Sequence, residues 1–142
     1  MKIIDNTDEV MNEVEKALRR GLERCGIKAE GYAAMKCPTD TGLLKNSITH
    51  VVDGYALDYY YKADNPDKNG KIKSGEYHFE SPKRENPTVT IGSNVEYAPY
   101  VEQGHIQAGS GNFVAPKRFL EQAVTGHTSE YKSILESELS KL

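Results

Sequence analysis

Large apolar side chains are scarce in this 142-residue chain, which has no Trp, three Phe and two Cys. Most of its aromatic side chains are the nine Tyr, whose hydroxyl-bearing rings suit half-solvated protein interfaces as well as cores. No apolar run approaches the roughly 20 residues that a membrane-spanning helix needs, and the N-terminus lacks the apolar core of a signal peptide. We therefore expect a protein that is made and kept in the cytosol, with no membrane partner.

Little in the composition points to a metal centre, a disulfide or a broad nucleic-acid surface. If one helix joins Cys25 and Cys37, they lie about 18 Å apart, which is too far for a disulfide, so we expect two free thiols. A net charge of −3 is not the charge of a typical nucleic-acid-binding domain. The four histidines have no metal-ligand spacing, and neither a Gly-x-Ser-x-Gly elbow nor a phosphate loop is present. We expect no cofactor, no metal and no enzymatic activity.

The first third of the chain predicts one long helix. Apolar residues recur at three- and four-residue steps from Val10 to Ala33, and Asn6 with Glu9 fits a capping box. Pro38 ends the helix, because the residue before a proline disfavours helical geometry. The apolar stripe that we expect to pack on a sheet consists of Val10, Val14, Leu18, Leu22 and Cys25. Gly21, Gly26 and Gly31 would either kink this helix or admit a close neighbour.

The rest of the chain predicts strands followed by helices. Strand patterns cover residues 47–53, 56–61, 76–80 and 88–92. A short helix is expected over residues 96–103, and a helical segment with a break at Gly126 follows. This order predicts an α+β fold, in which a long N-terminal helix and a C-terminal helix pack on a mainly antiparallel sheet of about four strands.

We expect a single domain over residues 1–142. Its parts are a long helix over 1–37, a sheet over 38–104 with an extended hairpin arm over 62–87, a loop over 105–115 and a helical segment over 116–142. The arm is polar and contains an Asn69-Gly70 turn signal. Ala108 to Asn112 reads as a loose loop rich in glycine and serine.

Three short segments carry the sharpest pattern. Residues 37–48 read CPTDTGLLKNSI, residues 91–104 read IGSNVEYAPYVEQG, and residues 116–123 read PKRFLEQA. In this order they resemble the small neck or tail-completion proteins of tailed bacteriophages and prophages. The family pattern is P-x-D-T-G-x-L-x-x-S-I, then I-G-x-x-x-x-Y-A-x-Y-V-E-x-G, then P-F-L at the start of a final helix. Here Lys117 and Arg118 separate Pro116 from Phe119, and the preceding loop is longer and richer in glycine than that pattern.

The same segments supply the candidate site residues, to which we assign structural or interface roles and no catalytic one. We expect the first segment to form a cap and a tight turn, because Asp and Thr side chains bond nearby backbone and Gly42 permits a positive φ. Tyr97 and Val101 are four residues apart and should share a core-facing side, with Pro99 in the first turn of the helix and Gly104 closing it. Tyr100 and Glu102 face elsewhere, either in local packing or in a subunit contact. The candidates are Asp40, Thr41, Gly42, Leu44, Tyr97, Pro99, Tyr100, Glu102, Gly104, Pro116, Phe119 and Leu120.

The resemblance implies a structural virion protein assembled in the host cytoplasm. It implies a homo-oligomeric ring, with six-fold symmetry expected, that joins the tail to the connector below the capsid. The implied partners are other neck and tail proteins, namely the connector, the terminator and the tail tube. DNA passing through the ring is a further possible partner. The sequence does not separate the tail-completion role from that of a tail terminator or a connector-ring subunit.

Other functional classes stay open as alternatives. Residues 65–76 match several positions of a calcium-binding loop, but Pro66 and three lysines argue against it and the flanks look like strands. Residues 62–86 hold six Lys and Arg against five Asp and Glu, a small excess that could face DNA but better fits a solvated arm lying on a neighbouring subunit. A small hydrolase using Asp40 or His105 is a third alternative.

Overall fold

The computed structural model describes residues 7–38, 42–55, 57–66 and 72–142, and for residues 57–66 and 72–81 it describes the backbone pairing alone. Helix α1 spans Thr7–Lys36 and helix α2 spans Leu43–Ser47. Strands β1 to β4 span Thr49–Asp53, Leu57–Pro66, Ile72–Ser81 and Thr88–Gly92. Helix α3 spans Ala98–Gln103, strands β5 and β6 span His105–Ile106 and Phe113–Val114, and helices α4 and α5 span Phe119–Thr125 and Thr128–Leu139. The fold therefore mixes helices and antiparallel strands, as expected.

The strands do not form the expected sheet of about four strands. β1 pairs with β4, and β2 pairs with β3, in separate two-stranded antiparallel sheets. The inner pair is nested within the outer one, so the chain leaves β1, makes the β2–β3 hairpin and returns along β4. Gly54 turns the chain between β1 and β2 at a φ of 116°, and a Cβ there would lie only 2.8 Å from the Pro87 Cα. This turn confirms the predicted role of the Asp53-Gly54 pair.

The predicted arm is a hairpin of two ten-residue strands, β2 and β3. These strands include both ends of the segment 65–76 that matches a calcium loop, which supports the hairpin interpretation over a loop held between two helices. The predicted turn at residues 69–70 lies outside the described residues. The expected caps Asn6, Asp40 and Thr41 lie outside them as well, but the expectation for the short helix was wrong, because the N-cap of α2 is Gly42 and has no side-chain cap.

Helix α1 runs through the centre of the molecule, with the β1–β4 sheet on one side and helices α4 and α5 on another. The C-terminal helices therefore pack mainly on α1 and not on the sheet, contrary to expectation. The face of α1 that is buried carries small residues at four-residue steps, namely Ala17, Gly21, Cys25, Ala29 and Ala33. The predicted stripe was partly wrong, because Val10 at its start is 58% exposed. Small side chains bring neighbouring elements close, and a count of large apolar residues overlooks such a face.

Two of the three glycines in α1 admit a close neighbour. A Cβ on Gly26 would lie 2.5 Å from the His50 ring of β1, and one on Gly21 would lie 2.7 Å from Leu135 of α5. Gly31 has nothing within 4 Å of that position. The break between α4 and α5 falls at Gly126 as predicted, and both Cys25 and Cys37 are buried free thiols.

Candidate functional site

The three sequence segments meet in one hydrophobic cluster. Phe119 of the third segment is fully buried and packs with Leu44 of the first and with Val95 and Ala98 of the second. Tyr97, Val101 and Leu120 are partly buried against the same cluster. The shared core-facing side predicted for Tyr97 and Val101 is thus confirmed. The C-terminal end of α1, through Ala33 and Cys37, completes the cluster.

A chain of hydroxyl groups joins the first segment to the second. The Val95 amide donates to Ser93 Oγ (3.1 Å), and Ser93 Oγ lies 2.5 Å from Ser47 Oγ, which donates to the Leu44 carbonyl (2.6 Å). Because the single Ser47 proton is used on Leu44, Ser93 is the donor between the two hydroxyls. Ser47 is buried and satisfied. Gly42 precedes α2 with a φ of 74°, which confirms the predicted need for glycine there.

Glu102 joins the second segment to the third. Its two carboxylate oxygens accept hydrogen bonds from the backbone amides of Leu120 and Glu121, each at 2.9 Å. These amides belong to the first turn of α4, whose N-cap residue Arg118 has a left-handed φ of 47° and makes no side-chain cap. A negative charge at a helix N-terminus is favourable. Glu102 therefore supplies from α3 the cap that the local sequence lacks, and its carboxylate is engaged within the chain.

Lys117 and Arg118, which separate Pro116 from Phe119, do not prevent this junction. The Lys117 amide donates to the Val101 carbonyl (2.9 Å) and the Arg118 amide donates to the Glu102 carbonyl (3.2 Å). Gly104 has a φ of 80°, and a Cβ there would lie 2.7 Å from the Val114 carbonyl oxygen and 3.0 Å from the Pro116 nitrogen. Only glycine fits this close crossing of the second and third segments. The backbone before α4 is held by the Lys117 and Arg118 hydrogen bonds, and Phe119 enters the core.

Other candidates point to solvent. Pro99 occupies the first turn of α3 as predicted, and it is exposed. Tyr100 is 59% exposed, and its ring meets the His105 ring edge-on with centroids 6.1 Å apart. Beyond His105, the predicted loose loop is in fact the short β5–β6 hairpin, which sequence analysis missed because each strand has only two residues. Its apolar residues Ile106 and Phe113 are both exposed.

The sequence patterns also failed to predict two charged clusters on α1. His50 of β1 lies between two carboxylates of α1, with Nε2 2.8 Å from Glu23 and Nδ1 2.5 Å from Glu30. Burial lowers the pKa of His50, but the hydrogen bonds to Glu23 and Glu30 outweigh it, so the pKa is raised above 6.5. Both carboxylates accept, so both ring nitrogens donate, which only the imidazolium can do. No sequence spacing signals this cluster, because α1 and β1 meet only in the tertiary structure.

The second cluster surrounds Glu138 of α5, whose side chain is only 5% exposed. Arg24 donates to it at 2.8 Å and Arg20 at 3.2 Å, and Lys141 lies 3.3 Å away. The hydrogen bond from Arg24, with those from Arg20 and Lys141, lowers the pKa of Glu138 to about 2 despite its burial. Glu138 therefore stays ionised and ties the last helix to the basic face of α1.

The structure gives neither cluster the arrangement of a metal centre. Within residues 7–38, 42–55, 57–66 and 72–142, no group of three or more His, Cys, Asp and Glu side chains is placed to hold a metal ion. No helix in that part of the chain is both long enough and apolar enough to cross a bilayer. Comparisons of this chain with protein-family models, with curated proteins and with solved structures found no match in any of the three. The resemblance to phage neck proteins thus rests on the three segments themselves.

Proposed function

We propose that this chain is a structural subunit of the neck of a tailed bacteriophage or prophage. As a tail-completion protein, it assembles with copies of itself into a ring, with six-fold symmetry expected, and joins the tail to the connector of the head. The connector, the terminator and the tail tube are its partners, and DNA passes through the ring. The roles of tail terminator and of connector-ring subunit are variants of the same proposal.

The observation that carries the proposal is the junction of the three segments around Phe119. Short motifs that match by chance have no reason to meet in space, whereas motifs of one family preserve the contacts that define its fold. Here the first segment bonds the second through Ser47 and Ser93, and the second caps the helix of the third through Glu102. The junction thus supports treating the segments as one signature.

The placement of the candidate residues also supports a structural role in assembly. The candidate residues divide into a buried junction and an exposed side formed by Pro99, Tyr100 and the β5–β6 hairpin. In the proposed ring, this exposed side and the β2–β3 arm contact neighbouring subunits. Tyr100, which is exposed on this side, suits such a contact, because its ring can bury apolar area while its hydroxyl forms hydrogen bonds.

The arm provides the test of this function. Replacing residues 63–75 by Asn-Gly joins Lys62 to its cross-strand partner Glu76 through a two-residue turn of the kind that hairpins favour. The shortened chain should fold, because a polar hairpin tip adds little to the core and loop length has a small entropic effect. We expect phage that carry this change to accumulate filled heads and tails that remain separate by electron microscopy.

Circular dichroism of the purified chain must accompany that assay, so that loss of joining is not mistaken for loss of folding. A Lys132→Ala change on the exposed side of α5 is the control and should leave particle yield unchanged. Normal yields of infectious particles from the shortened arm would refute its role in assembly. Genes for a portal or a tail-tube protein beside this gene are the observation that most directly separates the neck function from the alternatives.

A further inference from the structure

A cationic groove lies along one side of α1, where α1 meets the end of α5. The groove has a volume of about 510 Å³, and its walls are Lys16, Arg19, Arg20, Glu23, Arg24 and Glu138. Four of these six side chains are cationic, and all four are exposed. A chain whose net charge is −3 therefore concentrates positive charge on this surface.

The two carboxylates of the groove are already paired within the chain. Glu138 is 5% exposed and accepts hydrogen bonds from Arg24 at 2.8 Å and from Arg20 at 3.2 Å. Lys141 lies 3.3 Å from the same carboxylate. Glu23 lies 2.8 Å from Nε2 of His50, which is an imidazolium. The cations of the groove thus outnumber carboxylates that are themselves neutralised.

Glu138 orders two of the arginines without using up their donors. A guanidinium has five N–H groups, and on Glu138 Arg20 uses only its Nε and Arg24 only one terminal nitrogen. Their side chains remain 52% and 46% exposed, so the other N–H groups are available to an anion in the groove. Because both side chains are already held in place, less conformational entropy is lost when an anion binds.

Arg19 and Lys16 extend the cationic surface. Among the residues that the structure describes, Arg19 takes part in no ion pair. The Lys16 side chain is 66% exposed, and its ion pair with Glu13, at 3.4 Å, is exposed as well. Exposed pairs of this kind contribute little to stability. Lys16 can therefore exchange Glu13 for another anion at a small cost.

The length of the groove favours a polymer of phosphates over a single small anion. From Lys16 to Arg24 the groove extends about 12 Å along α1, a length over which duplex DNA carries about seven negative charges. Arginine suits phosphate well, because its planar fork can donate two parallel hydrogen bonds. An acidic protein segment carries its carboxylates on separate flexible side chains, each of which must be ordered on binding. The phosphates of DNA belong to the backbone itself.

We propose that the cationic groove formed by Lys16, Arg19, Arg20 and Arg24 binds the phosphate backbone of double-stranded DNA without reading its sequence. Contacts to phosphate carry no sequence information directly, which suits a subunit past which a whole genome moves. The inference rests on the proposed ring function, in which DNA passes through the ring. It identifies the side of the subunit that faces the channel.

The test measures the binding of short, fluorescently labelled DNA duplexes of two unrelated sequences to the full-length chain by fluorescence anisotropy. We expect the wild-type chain to bind both duplexes equally, and log affinity to fall with log salt by a slope of about −0.9 for each phosphate contacted. Lys16→Gln and Arg19→Gln should each weaken binding about fivefold at low salt and reduce the size of that slope by about one.

Lys132→Gln is the matched control. Lys132 is also an exposed helical lysine with an exposed carboxylate one turn away, at Glu136, but it lies outside the groove. The same loss of charge there should change neither the affinity nor the slope. Unlabelled polyglutamate, at the same charge concentration as the DNA, should displace little of the duplex. Circular dichroism melting curves check the folding of every variant, and Lys16→Gln and Arg19→Gln are independent measurements if one of them misfolds.

A wild-type chain that binds neither duplex at low salt would overturn the proposal. Equal losses of affinity in Lys16→Gln and Lys132→Gln would overturn it too, since binding would then follow net charge and not the groove. Displacement of the duplex by polyglutamate at equal charge would likewise overturn it and point to an acidic protein segment as the occupant. None of these results decides the neck function, which the joining of heads to tails tests separately.

Discussion

The glycines of α1 give the sharpest stability prediction, because three substitutions of the same type on one helix should have three different results. Gly31→Ala should stabilise the protein by about 1 kcal/mol, since alanine is the better helix former and nothing lies within 4 Å of the new Cβ. For a domain of this size, that is an increase of about 2–4 °C in melting temperature. This variant measures the propensity gain that is common to all three sites.

At Gly26 the same gain is opposed by a clash. The new Cβ would lie 2.5 Å, 2.7 Å and 3.0 Å from three carbon atoms of His50. The ring cannot swing aside freely, because Glu23 and Glu30 hold both of its nitrogens. Overpacking of this kind costs about 1–3 kcal/mol, so the net effect of Gly26→Ala should be a loss of up to about 2 kcal/mol.

Gly21→Ala should fall between the other two variants. Its nearest obstacle is Leu135 Cδ2 at 2.7 Å, the far end of a side chain that can change rotamer. We expect a change within about 1 kcal/mol of zero. Thermal and urea unfolding followed by circular dichroism give the three values. If Gly26→Ala were as stable as Gly31→Ala, the close contact between α1 and β1 would be wrong.

Four further predictions concern the junction, the cap of α4, His50 and the calcium-loop alternative. Phe119→Ala should cost about 3–5 kcal/mol in urea unfolding, and a cost below 1 kcal/mol would contradict the junction. Glu102→Ala should cost about 1–2 kcal/mol through the lost cap, whereas Glu121→Gln, at an exposed ion pair, should cost less than about 1 kcal/mol. Because the pKa of folded His50 is raised above 6.5, its contribution is complete below pH 6.5 and is lost as the pH rises through the folded pKa. The wild-type melting temperature should therefore fall over that interval and that of His50→Gln should not; parallel curves would contradict the pairing of His50 with Glu23 and Glu30. Millimolar Ca²⁺ should leave the melting temperature unchanged, and a rise that Glu76→Gln removes would restore the calcium-loop alternative.

Local patterns in the sequence predicted the helices well and the strand positions approximately. The period of apolar residues and Pro38 located α1, and Gly126 and Gly104 marked two of the helix ends. These features depend on the backbone preferences of single residues, which operate wherever the residue lies. The positive φ of Gly42 was predictable for the same reason.

Strand pairing was not predictable in this way. Each strand pattern was recognisable, because apolar and polar residues alternate along it. This alternation predicts which residues share a face of the sheet, but it does not predict which strands pair with each other. The expected sheet of about four strands therefore became two nested pairs. The β5–β6 hairpin was read as a loop, because two residues per strand leave no alternation to detect.

For the candidate site, the sequence by itself determined which segments belong together, the glycines that turn the chain, and the shared face of Tyr97 and Val101. Only the tertiary structure decided what those segments do. It brought Glu102 to the start of α4, set His50 between two carboxylates of α1, and left Ile106 and Phe113 exposed. Turns and helix faces depend on neighbours within about four residues along the chain, whereas caps, ion clusters and exposed patches depend on groups that are distant in sequence and become neighbours only when the chain folds.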